Sequence, residues 1–349
     1  MEFQEHAINR SWSAEGKIDL YRQMVRIRRF ELAALKSYMH GQIGGWLILS
    51  TGQESIAAGV RSLMGPLDHG ISGPRGIGHA IAAGVEMGPC MAEFFGKTNG
   101  CSKGKGGAFS LYDPGRHHWG CHGLAAAHTP LAAGLAFALQ QQEIPGVVFC
   151  FLGDGSVNQG VYHESLNLAG LFDLPVIYVI ENNGYAMGTS VARSSAFTEC
   201  LARRAETYGI DWDFFSDENP YELRAKIQPA IDRAREHRRP SVIEISTYRY
   251  YGFSVADSEH KKYRSPEEIE ERRARDPMML WGRHLVEVGI LDRIGLERIS
   301  RNASMEAMAA VDFADDGVVP VVSDISRDVY WETDHATEAS RIGRHFFDD

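Results

Sequence analysis

The sequence predicts an α/β protein whose core is a mostly parallel β-sheet with helices on both faces. Two runs of strand length, residues 147–152 and 176–180, are apolar throughout, as expected for strands buried on both sides. A stretch with helical spacing of apolar residues joins them into a strand–helix–strand unit. A helix over residues 221–237 precedes a third strand over residues 241–246. This alternation of strands and helices is typical of a parallel sheet.

The size and composition are those of a globular protein. The 349 residues are 44% hydrophobic and 23% charged, enough to bury a large core. A net charge of −10 without a dense basic run argues against nucleic-acid binding. No apolar stretch has the length of a membrane span, and residues 1–16 lack an apolar signal core, so we expect a cytoplasmic protein without membrane contact. We expect one domain over residues 1–325 and a tail over residues 326–349.

The remaining elements follow from caps, periodicity and loop composition. Ser13 should cap a helix that ends near Gly41, and its apolar stripe leaves several arginines on the solvated or interface side. Thr129 should cap a helix with Pro130 in its first position, and Ser265 should open another with a capping box. In the helix after the first central strand, the predicted buried stripe is Val161, Ser165, Leu168 and Phe172. A loop is predicted over residues 70–78, and loops near the site are predicted over residues 188–195 and 248–264.

Polar residues with ligand chemistry follow both strands of the central unit. The first strand ends in GDGS, residues 153–156, and the second ends in ENN, residues 181–183. Ligands bind at the carboxyl edge of an open parallel sheet, where the two strand ends should meet. Asp154 offers a carboxylate and Asn183 an amide oxygen, which are ligands that Mg²⁺ prefers together with phosphate and water. The small residues let backbone N–H groups approach a diphosphate. An ordinary tight turn would not explain oxygen ligands at two strand ends.

Three other features invite a binding-site interpretation that the residues do not support. The glycine-rich segment 100–107 does not match the phosphate-loop pattern and follows no strand, so a surface or interface loop is expected. Four histidines between residues 117 and 128 lack the spacing of a zinc site, although His122 sits in a glycine-flanked turn and is a candidate to face a ligand. The five cysteines are odd in number and widely spaced, which is typical of reduced thiols.

The GDG and NN motifs, separated by residues 156–181, resemble the thiamine-diphosphate-binding motif. Beyond them, residues from about 20 to 277 resemble the α subunit of the E1 component of 2-oxoacid dehydrogenase complexes, and the pyruvate and acetoin branches look most similar. The segments that carry the resemblance are GQES (52–55), FFGKTNGCSKGKGGAFSLYDP (94–114), GCHGLAAAHTPLAAGLAFA (120–138), GDGSVNQG (153–160), ENNGYAMGTSVARSS (181–195) and KKYRSPEEIEERRARDP (261–277). The resemblance implies the thiamine-diphosphate-binding fold.

The resemblance also implies cofactors and site residues. Thiamine diphosphate would be held through Mg²⁺, and the implied metal ligands are Asp154, Asn183 and the backbone oxygen of Tyr185. The remaining implied cofactor-binding residues are Gly155 and Ser156 at the diphosphate, Arg75 on its other side, and Gly123 and Ala125 at the aminopyrimidine.

His122, in the same segment as Gly123, is the candidate catalytic residue. The implied partner is an E1 β subunit in an α2β2 heterotetramer, with a lipoyl acyltransferase as a further candidate. In the family the β chain supplies the glutamate that acts on the pyrimidine ring, so this chain should provide half of an active site.

The sequence departs from the family at three positions. Histidines usual in the family are replaced by Ile48, Ile77 and Phe253, whose apolar side chains neither move protons nor hold an oxyanion. Three functions therefore stay open at this point. The first is an E1 α subunit that decarboxylates a 2-oxo acid such as pyruvate and passes the acyl group on. The second is a divergent thiamine-diphosphate lyase or carboligase subunit without lipoyl transfer, and the third is a cofactor-binding but catalytically silent subunit.

Overall fold

The structure, a computed structural model, describes residues 2–257 and 260–327. Its strands are β1 (His69–Ser72), β2 (His118–Cys121), β3 (Val148–Gly153), β4 (Val176–Asn182), β5 (Tyr185–Ala186), β6 (Thr189–Ser190), β7 (Asp211–Ser216) and β8 (Ser241–Ser246). Its α-helices are α1 (Ala7–Arg10), α2 (Ala14–Met39), α3 (Glu54–Arg61), α4 (Ile77–Ala83), α5 (Met87–Phe94), α6 (Thr129–Gln141), α7 (Gly160–Leu171), α8 (Val191–Ser194), α9 (Pro220–His237), α10 (Pro266–Ala274), α11 (Pro277–Glu287) and α12 (Arg293–Asp315).

A six-stranded parallel sheet forms the centre of the molecule, in the order β2-β1-β3-β4-β8-β7. The predicted parallel α/β fold is therefore confirmed. Strands β3 and β4 pair over their whole length, from Val148 against Val176 to Gly153 against Glu181. Both strands are buried almost throughout, which explains why each appears in the sequence as an unbroken apolar run.

Helices cover both faces of this sheet, as the sequence predicts. On one face, small residues of α6 and α7 such as Ala136 and Ala169 pack with the strand residues Cys150 and Tyr178. On the other face, α3 and α9 pack aliphatic side chains against residues that include Phe149 and Val179. Alternate residues of each strand thus belong to two separate hydrophobic clusters, as period-two geometry requires.

The chain reverses its direction of travel across the sheet between β1 and β3. Strands β1 and β2 lie on one side of that point, and β3, β4, β8 and β7 follow on the other. In open parallel sheets such a reversal leaves a crevice at the carboxyl edge, because the flanking connections depart in opposite directions. The loops that begin at Gly73, His122, Asp154 and Asn183 all start from this edge.

The predicted buried stripe of α7 is wrong. The residues that α7 buries are Tyr162, Ser165, Leu166 and Ala169, so of the predicted set Ser165 is buried and Val161 is half-buried against the core. Leu168 and Phe172 are 41% and 47% exposed instead. A 3-10 turn over Asp154–Asn158 delays the start of the helix to Gly160, and the inward face is set by that turn and by contacts with α6. The spacing of apolar residues shows that a helix has an apolar face, but it does not show which side of the helix packs on the core.

The helix caps are partly as predicted. Ser13 and Ser265 accept hydrogen bonds from the backbone N–H of Gly16 and Glu268, at 3.0 and 3.1 Å. Thr129, in contrast, is the first residue of α6 and does not cap it. Its hydroxyl donates to the carbonyl oxygen of Ala126 at 2.8 Å, since its burial in the core places that acceptor within reach.

Two charged side chains, those of Arg28 and Glu93, connect distant parts of the chain inside the protein. Arg28 of α2, predicted on the solvated or interface side, forms ion pairs with Glu54 and Asp276. Glu93 of α5 is fully buried, and its carboxylate accepts four backbone N–H groups of the glycine-rich segment 100–107. That segment is therefore bound to the core through Glu93 and is not simply a surface loop.

The described residues bear on three further expectations, which concern the C-terminal tail, membrane-spanning helices and the cysteines. Residues 328–349, most of the predicted tail, lie outside the described residues. Within the described part of the chain, no helix combines the length and apolar character needed to cross a membrane. The cysteines Cys90, Cys101, Cys121, Cys150 and Cys200 are free thiols.

Candidate active site

A cavity of about 400 Å³ lies at the carboxyl edge of the sheet, where the reversal between β1 and β3 occurs. Its wall brings together six separate stretches of the chain that the sequence singled out. The residues of that set that line the cavity are Ile48, Arg75, Gly123, Ala125, Asp154, Gly155, Ser156, Asn183, Tyr185 and Phe253. All eight predicted cofactor-binding residues are thus neighbours of one cavity, although they are spread over more than a hundred positions in sequence.

The carboxylate of Asp154 is buried and only half satisfied. Its Oδ1 accepts the backbone N–H of Gly155 at 2.6 Å, whereas Oδ2 has no hydrogen-bond partner among the residues that the structure describes. Burial raises the pKa of Asp154, and the N–H groups of Gly155 and Gly184 oppose that rise. A buried carboxylate oxygen without a partner is costly unless a cation or donor binds it. The donor set therefore fits a divalent cation.

Asn183 adds a second oxygen from the end of the neighbouring strand. The side chain is buried, its Nδ2 donates to Gln53 Oε1 at 3.2 Å, and its Oδ1 accepts from the backbone N–H of Tyr185 at 3.3 Å. No group of three or more His, Cys, Asp or Glu residues that could hold a metal occurs in the described ranges. A cation here would thus depend on one carboxylate with neutral oxygens and the oxygens of a ligand, a set that suits Mg²⁺.

Gly155 allows the turn after β3 to pack closely against β5. A Cβ atom added at Gly155 would lie 2.4 Å from Cβ of Ala186, so only glycine allows this approach of the two strand ends. Ser156 is buried beside it and lines the same cavity. Backbone N–H groups in such a turn can approach phosphate oxygens closely.

Arg75 also lines the cavity. Its Nη1 donates to the carbonyl oxygen of Leu49, and its Nη2 donates to that of Phe253 at 3.1 Å. Burial of the guanidinium and the positive charge of Arg249 lower the pKa of Arg75 to about 9. The residue is still charged at neutral pH, so it supplies positive potential to the cavity.

Arg249, just beyond β8, is a site residue that the sequence did not single out. The side chain is fully buried, and Nη2 donates to the carbonyl oxygen of Met187 at 2.5 Å. Nε and Nη1 find no acceptor anywhere in the described residues. The positive charge of Arg249 lowers the pKa of Asp154, which places the guanidinium within electrostatic reach of the cavity. The only sequence signal was an arginine among aromatic residues in the predicted site loop 248–264.

Gln53 and Glu181 were also missed as side chains of the site. Both are buried residues that line the cavity. Glu181 Oε1 lies 3.1 Å from Nε2 of His79, whose ring stacks on Phe151. Gln53 lies within the GQES segment, which the sequence used only as a family marker, and its amide reaches Asn183 across the cavity floor.

His122 lies in a different position from the predicted cofactor residues. It does not line the cavity at Asp154 but an adjoining pocket, and its Nε2 lies 3.2 Å from the carbonyl oxygen of Trp119. A carbonyl oxygen only accepts, so Nε2 carries the proton and Nδ1 is an acceptor. Burial lowers the pKa of His122, which keeps the ring neutral at pH 7.

The three apolar replacements do not share one location. Ile48 and Phe253 line both the cavity and the adjoining pocket. Ile77 is fully buried in the first turn of α4, packs in the hydrophobic cluster around α2 and α5, and lines neither space. Ile77 therefore does not border the reaction space, because the helix turns this side chain into the core.

The family model described as "Dehydrogenase E1 component" matches residues 22–322. The chain belongs to the dehydrogenase E1 component family. The pyruvate dehydrogenase E1 component subunit alpha of Rickettsia felis is 36% identical over 316 residues, covering 90% of this chain and 96% of the relative.

Relatives from other bacteria give the same picture. The corresponding α subunits of Rhizobium meliloti and Zymomonas mobilis are each 36% identical, over 319 and 308 residues. The matches cover 91% and 88% of this chain and 91% and 86% of the relatives. The resemblance of this chain to E1 α subunits of 2-oxoacid dehydrogenases is thereby confirmed along nearly its whole length.

Proposed function

We propose that this chain is the α subunit of a thiamine-diphosphate- and Mg²⁺-dependent E1 enzyme that decarboxylates a 2-oxo acid, such as pyruvate, and passes the acyl group to an acceptor. The observation that carries the proposal is Asp154 Oδ2, which is buried at the cavity with no hydrogen-bond partner in the described chain. Family membership supports the same activity, since the similar α subunits are named for pyruvate dehydrogenase.

The proposed metal ligands are the side-chain oxygens of Asp154 and Asn183 and the backbone oxygen of Tyr185. The backbone N–H groups at Gly155 and Ser156 would hold the diphosphate, together with the positive charges of Arg75 and Arg249. Nε and Nη1 of Arg249 are suited to donate hydrogen bonds to the diphosphate, because both are buried and have no acceptor among the described residues. Gly123 and Ala125, across the cavity, would contact the aminopyrimidine through their backbone.

Thiamine diphosphate, when bound, supplies the electron sink that makes loss of CO₂ from a 2-oxo acid feasible. The residues of this chain bind, orient and exclude water around it. Ile48 and Phe253 form an apolar boundary between the cavity and the adjoining pocket, which strengthens electrostatic interactions inside. His122, whose pKa is lowered by burial and whose Nδ1 is an acceptor, is a group placed to accept a proton in the adjoining pocket.

An E1 β-like partner is part of the proposal. Helices α6 and α7 expose a group of apolar side chains next to one another, and the rings of Phe137 and Phe172 meet edge to face at 6.1 Å. The exposed members of this apolar surface are Leu131, Phe137, Leu168, Leu171 and Phe172. An exposed apolar surface of this kind is typical of a protein–protein contact. An α2β2 heterotetramer would cover it, and a lipoyl acyltransferase remains a candidate acceptor.

A second candidate function is a decarboxylase or carboligase subunit without lipoyl transfer. The observation in its favour is that Ile48 and Phe253, which replace histidines usual in the family, do border the cavity. Their side chains cannot transfer protons during acyl transfer to a thiol.

A cytoplasmic location remains a prediction from cysteine usage.

Co-expression of this chain with its β partner tests the proposal. The complex should bind thiamine diphosphate only with Mg²⁺ by calorimetry and should decarboxylate a 2-oxo acid with an artificial electron acceptor. Addition of a lipoyl domain then separates the two candidates, since only the first function acylates it efficiently. A complex that binds no thiamine diphosphate would overturn the proposal.

A further inference from the structure

A second pocket of about 620 Å³ opens beside the cavity at Asp154. Four residues line both spaces: Ile48, Pro74, Gly123 and Phe253. A ligand with its metal-binding end at Asp154 therefore meets the second pocket at its other end. The second pocket is where the substrate of the proposed reaction has room.

Aromatic rings make up much of the wall of this pocket. The rings of Trp46 and Phe253 meet edge to face, with centroids 6.1 Å apart and an interplanar angle of 72°. Those of Tyr112 and His122 meet in the same way at 5.8 Å and 86°. Phe109 adds a fifth ring, and a Cβ atom at Gly123 would lie 3.2 Å from it. Such walls bind a planar apolar group through offset and edge contacts.

Polar groups lie together on one part of the wall. Ser110, Tyr112 and His122 are half-buried there, next to Phe109. His122 already uses its Nε2 proton on the carbonyl oxygen of Trp119, and burial lowers its pKa, so it offers an acceptor and no charge. The hydroxyl groups of Ser110 and Tyr112 are donors suitable for a carboxylate. The pocket thus combines an aromatic slot with a small polar end.

We propose that the preferred substrate is a 2-oxo acid with an aromatic side chain, such as an arylpyruvate, whose ring occupies the pocket between Trp46, Phe109 and Phe253. The inference rests on the proposed function and names its substrate class. The methyl group of pyruvate would leave most of this apolar volume unfilled and forgo the burial of the surrounding rings. A ring recovers that burial, at about 25 cal/mol per Å² of apolar surface.

The shape of the pocket favours a small ligand over a segment of the partner chain. Its base is fully internal, with Ile48 at 1% and Cys121 at 0% exposure. The exposed lining residues are Gly123, Trp46 and Leu124, and the last two are 58% and 76% exposed. An enclosed base with an open rim is the usual form of a small-molecule site, whereas partner contacts are flatter and larger.

Steady-state kinetics of the assembled α–β complex with thiamine diphosphate and Mg²⁺ test the inference. Pyruvate, 4-methyl-2-oxopentanoate and phenylpyruvate are compared with an artificial electron acceptor. We expect kcat/KM for phenylpyruvate to exceed that for pyruvate by about 10-fold or more. A preference for pyruvate would overturn the substrate class and leave the proposed function intact. Turnover of no 2-oxo acid would overturn the proposed function and the inference with it.

Two variants connect the preference to the pocket. Ala127→Leu adds bulk to the pocket wall, and Trp46→Leu removes a ring from its rim. Each should lower the phenylpyruvate-to-pyruvate ratio of kcat/KM by about 10-fold. Met305→Leu on α12 changes a side chain of similar exposure to Trp46, 57% against 58%, and should leave the ratio unchanged. An unchanged ratio in the two pocket variants would contradict the inference.

Binding without turnover provides an independent measurement. The cofactor-free α–β complex is titrated with 3-phenylpropionate, which has the ring and carboxylate but no reactive carbonyl, and with propionate as the control. We expect calorimetry to detect 3-phenylpropionate only, and Ala127→Leu to weaken it by about 10-fold. If Ala127→Leu and Trp46→Leu both prevent α–β assembly in gel filtration, the partner chain fills the pocket and the inference fails.

Discussion

Asn183 and Gln53 are 130 residues apart in the sequence, yet Nδ2 of Asn183 donates to Oε1 of Gln53 at 3.2 Å. This contact decides which end of the Asn183 amide carries the oxygen toward the turn at Tyr185. A metal ligand held in this way depends on its outer partner almost as much as on its own chemistry. The GQES segment thus acts as part of the proposed metal site.

Gln53→Leu should weaken Mg²⁺-dependent binding of thiamine diphosphate by about 10- to 100-fold, because the Asn183 amide loses the partner that orients it. Calorimetry of the α–β complex at several Mg²⁺ concentrations measures the effect. Gln42→Leu is the matched control, since Gln42 bonds to Asp315 on the surface at 3.0 Å. Equal affinity in both variants would show that Gln53 does not orient Asn183.

Asp154→Asn should abolish Mg²⁺-dependent cofactor binding, with a loss of affinity of more than about 100-fold, because it removes the charged ligand of the proposed site. The same variant should raise the Tm of the cofactor-free protein at neutral pH. The folded state raises the pKa of Asp154, so the ionised form destabilises the fold, and asparagine lacks that charge. Calorimetry and thermal unfolding check the two results, and unchanged cofactor affinity would refute the assignment of Asp154 as a ligand.

We expect the free energy of unfolding to depend on pH through the buried carboxyl group of Glu31. Burial and the nearby negative charge of Glu54 raise the pKa of Glu31 from 4.5 to about 7. The folded state therefore holds a proton that the unfolded state releases, and stability falls as pH rises from about 4.5 to about 7. Glu31→Gln keeps hydrogen-bonding groups for Ser50 and Thr51 without the charge.

The free energy of unfolding of Glu31→Gln, relative to the natural chain, should therefore increase across that pH range. The expected gain is on the order of 1–3 kcal/mol at pH 8. Urea unfolding of the cofactor-free chain at pH 5 and pH 8 provides the measurement. The exposed Glu297→Gln on α12 is the control, and a constant difference between the two pH values would rule out titration of Glu31.

Phe253→His tests the apolar replacements at the cavity. If the second candidate function holds, the natural α–β complex acylates a lipoyl domain much more slowly than it reduces an artificial acceptor. Restoring an imidazole at the cavity should then raise acylation by about 10²-fold, the lower range for an added acid–base group. Ile77→His is the control that the structure supplies, because that side chain lies in the core. It should lower stability without raising acylation.

Phe137→Glu should impair assembly with the β partner, since it places a charge in the middle of the apolar surface of α6 and α7. We expect the apparent Kd of the α–β complex to rise by about 10-fold or more. Met305→Glu, on α12, is exposed to a similar degree and should assemble normally. Analytical ultracentrifugation of both variants measures the outcome, and normal assembly of Phe137→Glu would exclude this surface as the β contact.

The sequence by itself determined the fold class and the chemistry of the two central strand ends. Unbroken apolar runs identify β3 and β4 because strands buried on both faces have no polar side. Asp154 and Asn183 were identifiable because the carboxyl ends of adjacent parallel strands must meet at one edge. These inferences need only local periodicity and a general rule of sheet geometry.

The tertiary structure alone decided which side chains face the cavity. Ile48 and Ile77 look equivalent in the sequence, but one borders the cavity and the other is in the core, since the turn into α4 sets the direction of its first residue. The inward face of α7, the contact of Gln53 with Asn183 and the approach of Arg249 to Asp154 depend likewise on how distant segments pack. A linear pattern specifies a face or a residue type, whereas direction and long-range proximity arise only when the elements dock.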